Sequence, residues 1–236
     1  MSEERQTVDF YEQDSKVYDR SRFQDGKGIQ INSVQQAIVK ELCGDVKSKK
    51  VLELAVGTGR FTKTMVSRGA DLVGLDSSTS MLRITRKKCS KAKIARTPSL
   101  IRADATKLPF RTDVFDYVLC INALNHMPKY TGAIQESSRV LKPSGSFVFN
   151  FPNTASILFP LALFVNARSK SIERPVFSKW YSPKQILLTL FRNRLRVETA
   201  EGHIPVGFAQ PIIDKLFRRS PIRFFSGVLF IKAKKS

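Results

Sequence analysis

The chain has 236 residues, 42% of them apolar and 25% charged, which suits one generous globular domain. Three widely spaced cysteines (Cys43, Cys89 and Cys120), with only His126 and His203 beside them, exclude a disulfide frame and a structural metal site. The net charge of +20 is spread along the chain, 25 basic residues against 16 acidic up to residue 150 and 15 against 4 beyond it. Such a surface attracts polyanions (nucleic acid, anionic lipid or acidic substrates) or is simply solvated, and by itself names no partner. The opening MSEERQTVDFYEQD is polar and acidic, without the apolar core of a secretory signal, so a cytoplasmic place is expected.

Strands and helices then alternate. KKVLELAV (49–56) reads as a strand, and GRFTKTMVSRG (59–69) has helical spacing through Phe61, Met65 and Val66. DLVGLD (71–76) is a second strand, followed by a helix from Thr79 to Lys91. SLIRADA (99–105) and VFDYVLCIN (114–122) are the third and fourth strands, and a helix over 129–141 stops at Lys142-Pro143 before SFVFNF (146–151). This rhythm, with nearly continuous apolar strands, predicts an α/β doubly wound, mostly parallel sheet with helices on both faces. The rhythm then changes. SILFPLALFV (156–165) is too short and too interrupted by Pro160 to span a bilayer, a helix follows over 183–192, and RFFSGVLFIKAKK (223–235) reads as the last strand.

The first strand empties into Gly57-Thr58-Gly59, a turn that lets backbone approach a ligand closely. The third glycine of a dinucleotide fingerprint is missing, and no lysine of a phosphate-cradling loop is present. Asp76 closes the second strand 19 residues after Gly57, the spacing of an acid that holds ribose hydroxyls, and Asp104 ends the third strand. Carboxylates gathered at that sheet edge suit a ligand with ribose hydroxyls and positive charge.

VLELAVGTGRFT, LVGLDSSTSML, RADATKLPF, FDYVLCINALNHM and RVLKPSGSFVF, in this order, resemble the class I S-adenosylmethionine (SAM)-dependent methyltransferases. The branch they are most similar to is the small-molecule one of the ubiquinone and menaquinone type. The resemblance covers residues 8–151 well and the remainder by strand order. It implies a seven-stranded Rossmann-like sheet with an antiparallel last strand, and SAM as cofactor. It implies that Glu53 and the turn Ala55, Gly57, Thr58 and Gly59 hold the methionine end, and that Asp76, with Ser77, takes the ribose. Met81 would pack near the adenine, Asp104 and the Ala105 amide would meet its edge, and Asn122 would line the cofactor from beneath. Tyr18 and Arg22, in FYEQDSKVYDRSRF, would close over it with Tyr11. Ala55 stands where glycine is commoner, and its methyl is expected to leave binding intact. One domain is expected, with cap helices over 1–45, a cofactor core over 46–151, a substrate lid over 152–183 and terminal strands over 184–236.

Methyl transfer from a sulfonium needs alignment and dryness first, and a base only where the acceptor must lose a proton. His126, just past the fourth strand, is the candidate base or a packing residue, and His203 is a weaker one. The acceptor is expected to be a small or lipid-like molecule, with residues 152–183 as an apolar and basic surface able to meet an anionic membrane. The alternative is an RNA or DNA methyltransferase, for which RITRKKCSKAKIAR (83–96) offers seven cations and no acid. Against it, INAL stands where the motif of exocyclic-amine methylation belongs. A second alternative is a non-catalytic partner protein that keeps the fold.

Overall fold

The computed structural model of the protein describes residues 2–92, 97–157, 159–160, 177–204, 218 and 220–236. Its centre is built from β1 (Lys50–Leu54), β2 (Asp71–Asp76), β3 (Ser99–Arg102), β4 (Phe115–Cys120) and β5 (Leu141–Pro152), all parallel. β6 (Leu195–His203) and β7 (Val228–Lys235) complete a seven-stranded sheet of order β3-β2-β1-β4-β5-β7-β6, with β7 antiparallel to both neighbours. The order reverses between β1 and β4, so the C-terminal ends of these strands flank the crevice where open α/β sheets take ligands.

Alternation along the strands sorts the core onto two faces. Leu52, Leu54, Phe147, Phe149 and Phe151 face one side, with Ile186 and Leu190 of α7 (Pro183–Arg192) and Ala133 and Ile134 of α6 (Tyr130–Val140). Val51, Leu72, Leu119, Val148 and Phe230 face the other, against Ile38, Val39 and Leu42 of α3 (Gly26–Cys43) and Phe61, Met65 and Val66 of α4 (Arg60–Ser67). α5 (Thr79–Lys91) is started by Ser78, whose hydroxyl accepts from the Met81 amide at 3.1 Å. α7 opens with a full capping box, Ser182 and Gln185, with Pro183 in its first turn. The three cysteines are free and buried, and burial pushes the Cys43 and Cys120 thiols up to about 12.

Two elements differ from the sequence reading. β5 begins at Leu141 rather than 146, because Leu141 turns extended at the end of α6 and pairs with Phe115 before the register shifts. That irregularity accommodates Pro143, which has no amide to give the ladder. At the other end, Pro221–Phe225 form a short 3-10 helix and β7 starts at Val228. Asn153 holds that turn in place, its side-chain amide donating to the carbonyls of Phe224 at 2.6 Å and Ser226 at 3.0 Å. The central stretch of the expected lid, 161–176, lies outside the described residues.

Two helices close the N-terminal side, α1 (Glu3–Asp14) and α2 (Tyr18–Phe23). The Glu12 carboxylate accepts from the amides of Thr79 and Ser80 at 2.6 and 2.9 Å, at the start of α5. Asp19 accepts from the Thr58 hydroxyl at 2.6 Å and pairs with Lys88. Both carboxylates therefore tie the cap to the elements that carry the crevice.

Candidate functional site

β1 ends at Leu54, and three of the next five residues take left-handed backbone: Ala55 (φ 52), Gly57 (φ 54) and Gly59 (φ 78). At Gly59 the requirement is double, since an added Cβ would stand 2.8 Å from Thr85 Cγ2. Gly57 faces open space, with nothing within 4 Å of an added Cβ. The Thr85 hydroxyl donates to the Gly57 carbonyl at 2.8 Å and props the turn from below. Ala55 carries a side chain in a conformation that costs an L-residue about 1–2 kcal/mol, so its methyl is accommodated with strain.

The turn forms the floor of a cavity of about 130 Å³. Tyr18, Glu53, Ala55, Gly57, Thr58, Asp76, Ser77, Met81, Asn122 and His126 all line it. A second cavity of about 240 Å³ shares Ala55, Asp76, Ser77 and His126 with the first and adds Asp104 and Ala105. Gly59 ends the turn as the N-cap of α4 and is not among the residues lining the first cavity. Arg22 lines neither cavity: its guanidinium pairs with Asp14 at 2.7 Å and lies 4.2 Å over the Tyr18 ring, so it braces the cap from within.

Asp76 is buried and accepts from the amides of Gly57 (Oδ2, 2.8 Å) and Ser78 (Oδ1, 2.9 Å). Burial pushes its carboxyl up to about 6 against the pull of these two bonds. A carboxylate has about four acceptor positions, and with the amides of Gly57, Ser78 and Ser77 against it Asp76 keeps acceptor capacity for a ligand hydroxyl. Glu53 is more deeply buried, accepts from the Thr62 hydroxyl at 2.6 Å, and is pushed up to about 8 by burial and by nearby Asp76. Asp104 is exposed; its Oδ1 accepts from the Thr106 amide at 2.8 Å, and the Thr106 hydroxyl is shared between its two oxygens at 2.9 Å.

Asn122 takes left-handed backbone (φ 55) just past β4 and is held by a reciprocal amide pair with Asn150. Its own amide donates to Gln35 Oε1 at 2.8 Å, and Arg60 Nη2 donates to the same oxygen at 3.1 Å. Arg60 also gives Nε and Nη2 to Asn32 at 2.9 and 2.8 Å and lies 3.6 Å over the Phe23 ring. It lines the first cavity, and burial lowers its guanidinium to about 10. Sequence reading passed over Arg60; the signal was its place in GTGR, directly after the turn. Tyr11 lines the cavity as well, edge-on to His126 at 5.7 Å, with its hydroxyl pushed up by burial.

His126 sits in a 3-10 turn, Leu124–His126, with Nδ1 2.9 Å from the Phe177 carbonyl and Nε2 3.0 Å from the Asn125 side-chain amide. A carbonyl can only accept, so Nδ1 carries the proton and Nε2 is the acceptor. Burial lowers the pKa of the ring, which favours this neutral form. His203 is buried at the end of β6, 6.5 Å from the Phe230 ring, and lines neither cavity.

Residues 52–149 match the family described as "Methyltransferase domain". The chain is 29% identical over 151 residues to the demethylmenaquinone methyltransferase of Staphylococcus aureus (strain MRSA252), a match over 63% of this chain and 60% of that protein's length. Among solved structures, magnesium protoporphyrin IX methyltransferase from Synechocystis PCC 6803 superposes with a TM-score of 0.74 over 97% of this chain and 98% of that one, at 13% identity. The cyclase SpnF superposes with a TM-score of 0.63 over 85% of this chain and 79% of its own, at 18% identity. Likeness at such identities carries the fold, and two different reactions on one fold leave function to be argued from the site.

Proposed function

We propose that this chain, a class I S-adenosylmethionine-dependent methyltransferase, moves the methyl group of SAM to a small, apolar or lipid-like acceptor. The observation that carries the reading is Asp76, a buried carboxylate held by the amides of Gly57 and Ser78 at the end of β2, lining the same cavity as the glycine turn. Bound SAM supplies a methyl group already made electrophilic by its sulfonium. The chain's own residues bind, orient and exclude water. Asp76, with Ser77, takes the ribose hydroxyls, and Met81 and the Asp104-Ala105 segment line the adenine side. Glu53 and the turn from Ala55 to Gly59 receive the amino-acid end, with Asn122 below.

Arg60 is the further residue we add to this set. Among the described residues lining the first cavity it is the one Lys or Arg, and its guanidinium is placed to meet the cofactor carboxylate. Tyr11 and Tyr18 roof the cavity and keep it dry, while Arg22 holds Tyr18 in place. His126 borders the acceptor as the base where one is needed, its Nε2 exchanging the Asn125 amide for the acceptor's proton. His126→Ala with undiminished turnover would remove it from that role.

The likeness to a demethylmenaquinone methyltransferase supports a quinone-like acceptor, for a match that spans 60% of that relative's length. Residues 1–236 act as one domain in this reading, with 152–183 as the lid. No helix among the described residues is long and apolar enough to cross a membrane, and we place the protein in the cytoplasm, at most peripheral to one. Calorimetric titration with S-adenosylhomocysteine tests the reading. The wild type binds, and Asp76→Ala weakens binding at least about 100-fold, the worth of two hydrogen bonds to a charged group. A wild type that binds neither SAM nor this product contradicts it.

A further inference from the structure

α7 is apolar on two opposite faces, and one of them is uncovered. Ile186 and Leu190 point into the core beneath it. Lys184, Leu187, Leu188 and Phe191 recur at spacings of three and four, so they form a single stripe on the outward side. Leu187 is 44% exposed, Leu188 47% and Phe191 81%. Isolated apolar side chains on a surface are ordinary, but three on adjoining turns mark an interaction face. Cations frame it: Lys184 lies within the stripe, Arg192 flanks Leu188, and exposed Arg194 follows in the turn to β6. From Phe177 to Val197 the chain carries five basic residues and no acidic one.

We propose that this face of α7 docks on an anionic lipid surface. Leu187, Leu188 and Phe191 enter the boundary between headgroups and acyl chains, and Lys184, Arg192 and Arg194 reach the lipid phosphates. Leucines gain nothing against a nucleic-acid backbone, whereas a lipid surface rewards both halves of the pattern, since long basic side chains bury their stems and leave their charges at the headgroups. The place in the fold is consistent with use. α7 starts two residues after Tyr181, whose amide donates to the Pro152 carbonyl at the end of β5 at 3.0 Å, on the sheet edge that carries the cavities. A ten-residue helix is only about 15 Å long, so contact along it brings that edge close to the lipid. The inference deepens the lipid-like part of the proposed function by naming the surface, and it stands on geometry independent of the cavities and of residues 161–176.

Co-sedimentation with vesicles of phosphatidylcholine, with and without phosphatidylglycerol, tests it on the full chain. The wild type pellets with the phosphatidylglycerol vesicles, less so as salt rises. Changing Leu187, Leu188 and Phe191 together to Gln lowers partitioning at least about tenfold. Changing Lys184, Arg192 and Arg194 to Gln removes most of the salt dependence. Circular dichroism and binding of S-adenosylhomocysteine confirm that each surface variant is folded. Three outcomes overturn the proposal: a wild type that stays in the supernatant at low salt, an apolar triple variant that pellets like the wild type, or self-association abolished by Phe191→Gln without vesicle binding. A wild type that binds vesicles but not S-adenosylhomocysteine would defeat the methyl-transfer reading and leave this one intact.

Discussion

Arg60 and Glu53 are the two residues on which the proposed binding of the cofactor's amino-acid end turns. Arg60 is held over Phe23 by Asn32 and Gln35, so its charge is oriented before a ligand arrives. Arg60→Gln is expected to weaken S-adenosylhomocysteine about tenfold to 100-fold, the range for a charge-assisted hydrogen bond, and to leave its decarboxylated analogue nearly unaffected. Equal losses for both ligands, read by calorimetry, would show that Arg60 serves the fold and not the carboxylate. Glu53 gives a pH signature. Its pKa in the folded chain is pushed up to about 8 from an ordinary 4.5, so between these values the folded state binds more protons than the unfolded one. Stability from this group therefore falls as pH rises across that window, by an amount on the order of a few kcal/mol. Glu53→Gln cannot ionise, so its urea midpoint should gain on the wild type between about pH 5 and about pH 8. A constant difference would mean that Glu53 is ionised throughout.

The cap helices, α1 and α2, show what an element contributes beyond its own stability. Asp19 joins α2 to the Thr58 hydroxyl of the glycine turn and to Lys88 of α5, while Glu12 caps the start of α5. Asp19→Ala should speed amide exchange across Glu3–Phe23 and weaken S-adenosylhomocysteine about tenfold, with exchange in β1 and β4 unchanged. Unchanged exchange in the cap would refute the latch. Elements whose limits are set locally were legible in the sequence. Asp71–Asp76, Thr79–Lys91 and Pro183–Arg192 fall where the apolar pattern, the serine caps and Pro183 put them. The start of β5 was not, since it depends on Phe115 meeting Leu141 across the sheet, and neither was the 3-10 turn at Pro221–Phe225, since it depends on Asn153 some seventy residues away. The site divides the same way. Its glycine turn and Asp76 sit at strand ends in chain order, whereas Arg60 and Asn122 come to share the Gln35 oxygen only once α3 has docked.

At the scale of the whole molecule, the surplus of +20 and the site ask for different partners. The cavities sit at the sheet edge under a cap of aromatic residues, which suits a small acceptor, while the positive surface suits anionic lipid or nucleic acid. The apolar stripe on α7 favours lipid, which unites charge and site in the account we propose: methyl transfer at a membrane surface to an apolar substrate. Incubation of the purified protein with methyl-tritiated SAM and a lysate of its own cells, followed by partition into organic, acid-soluble and acid-insoluble fractions, tests that account most directly. It predicts label in the organic or small-molecule fraction, lost in the Asp76→Ala variant. Label confined to the precipitate and released by nuclease would contradict it and make nucleic acid the acceptor.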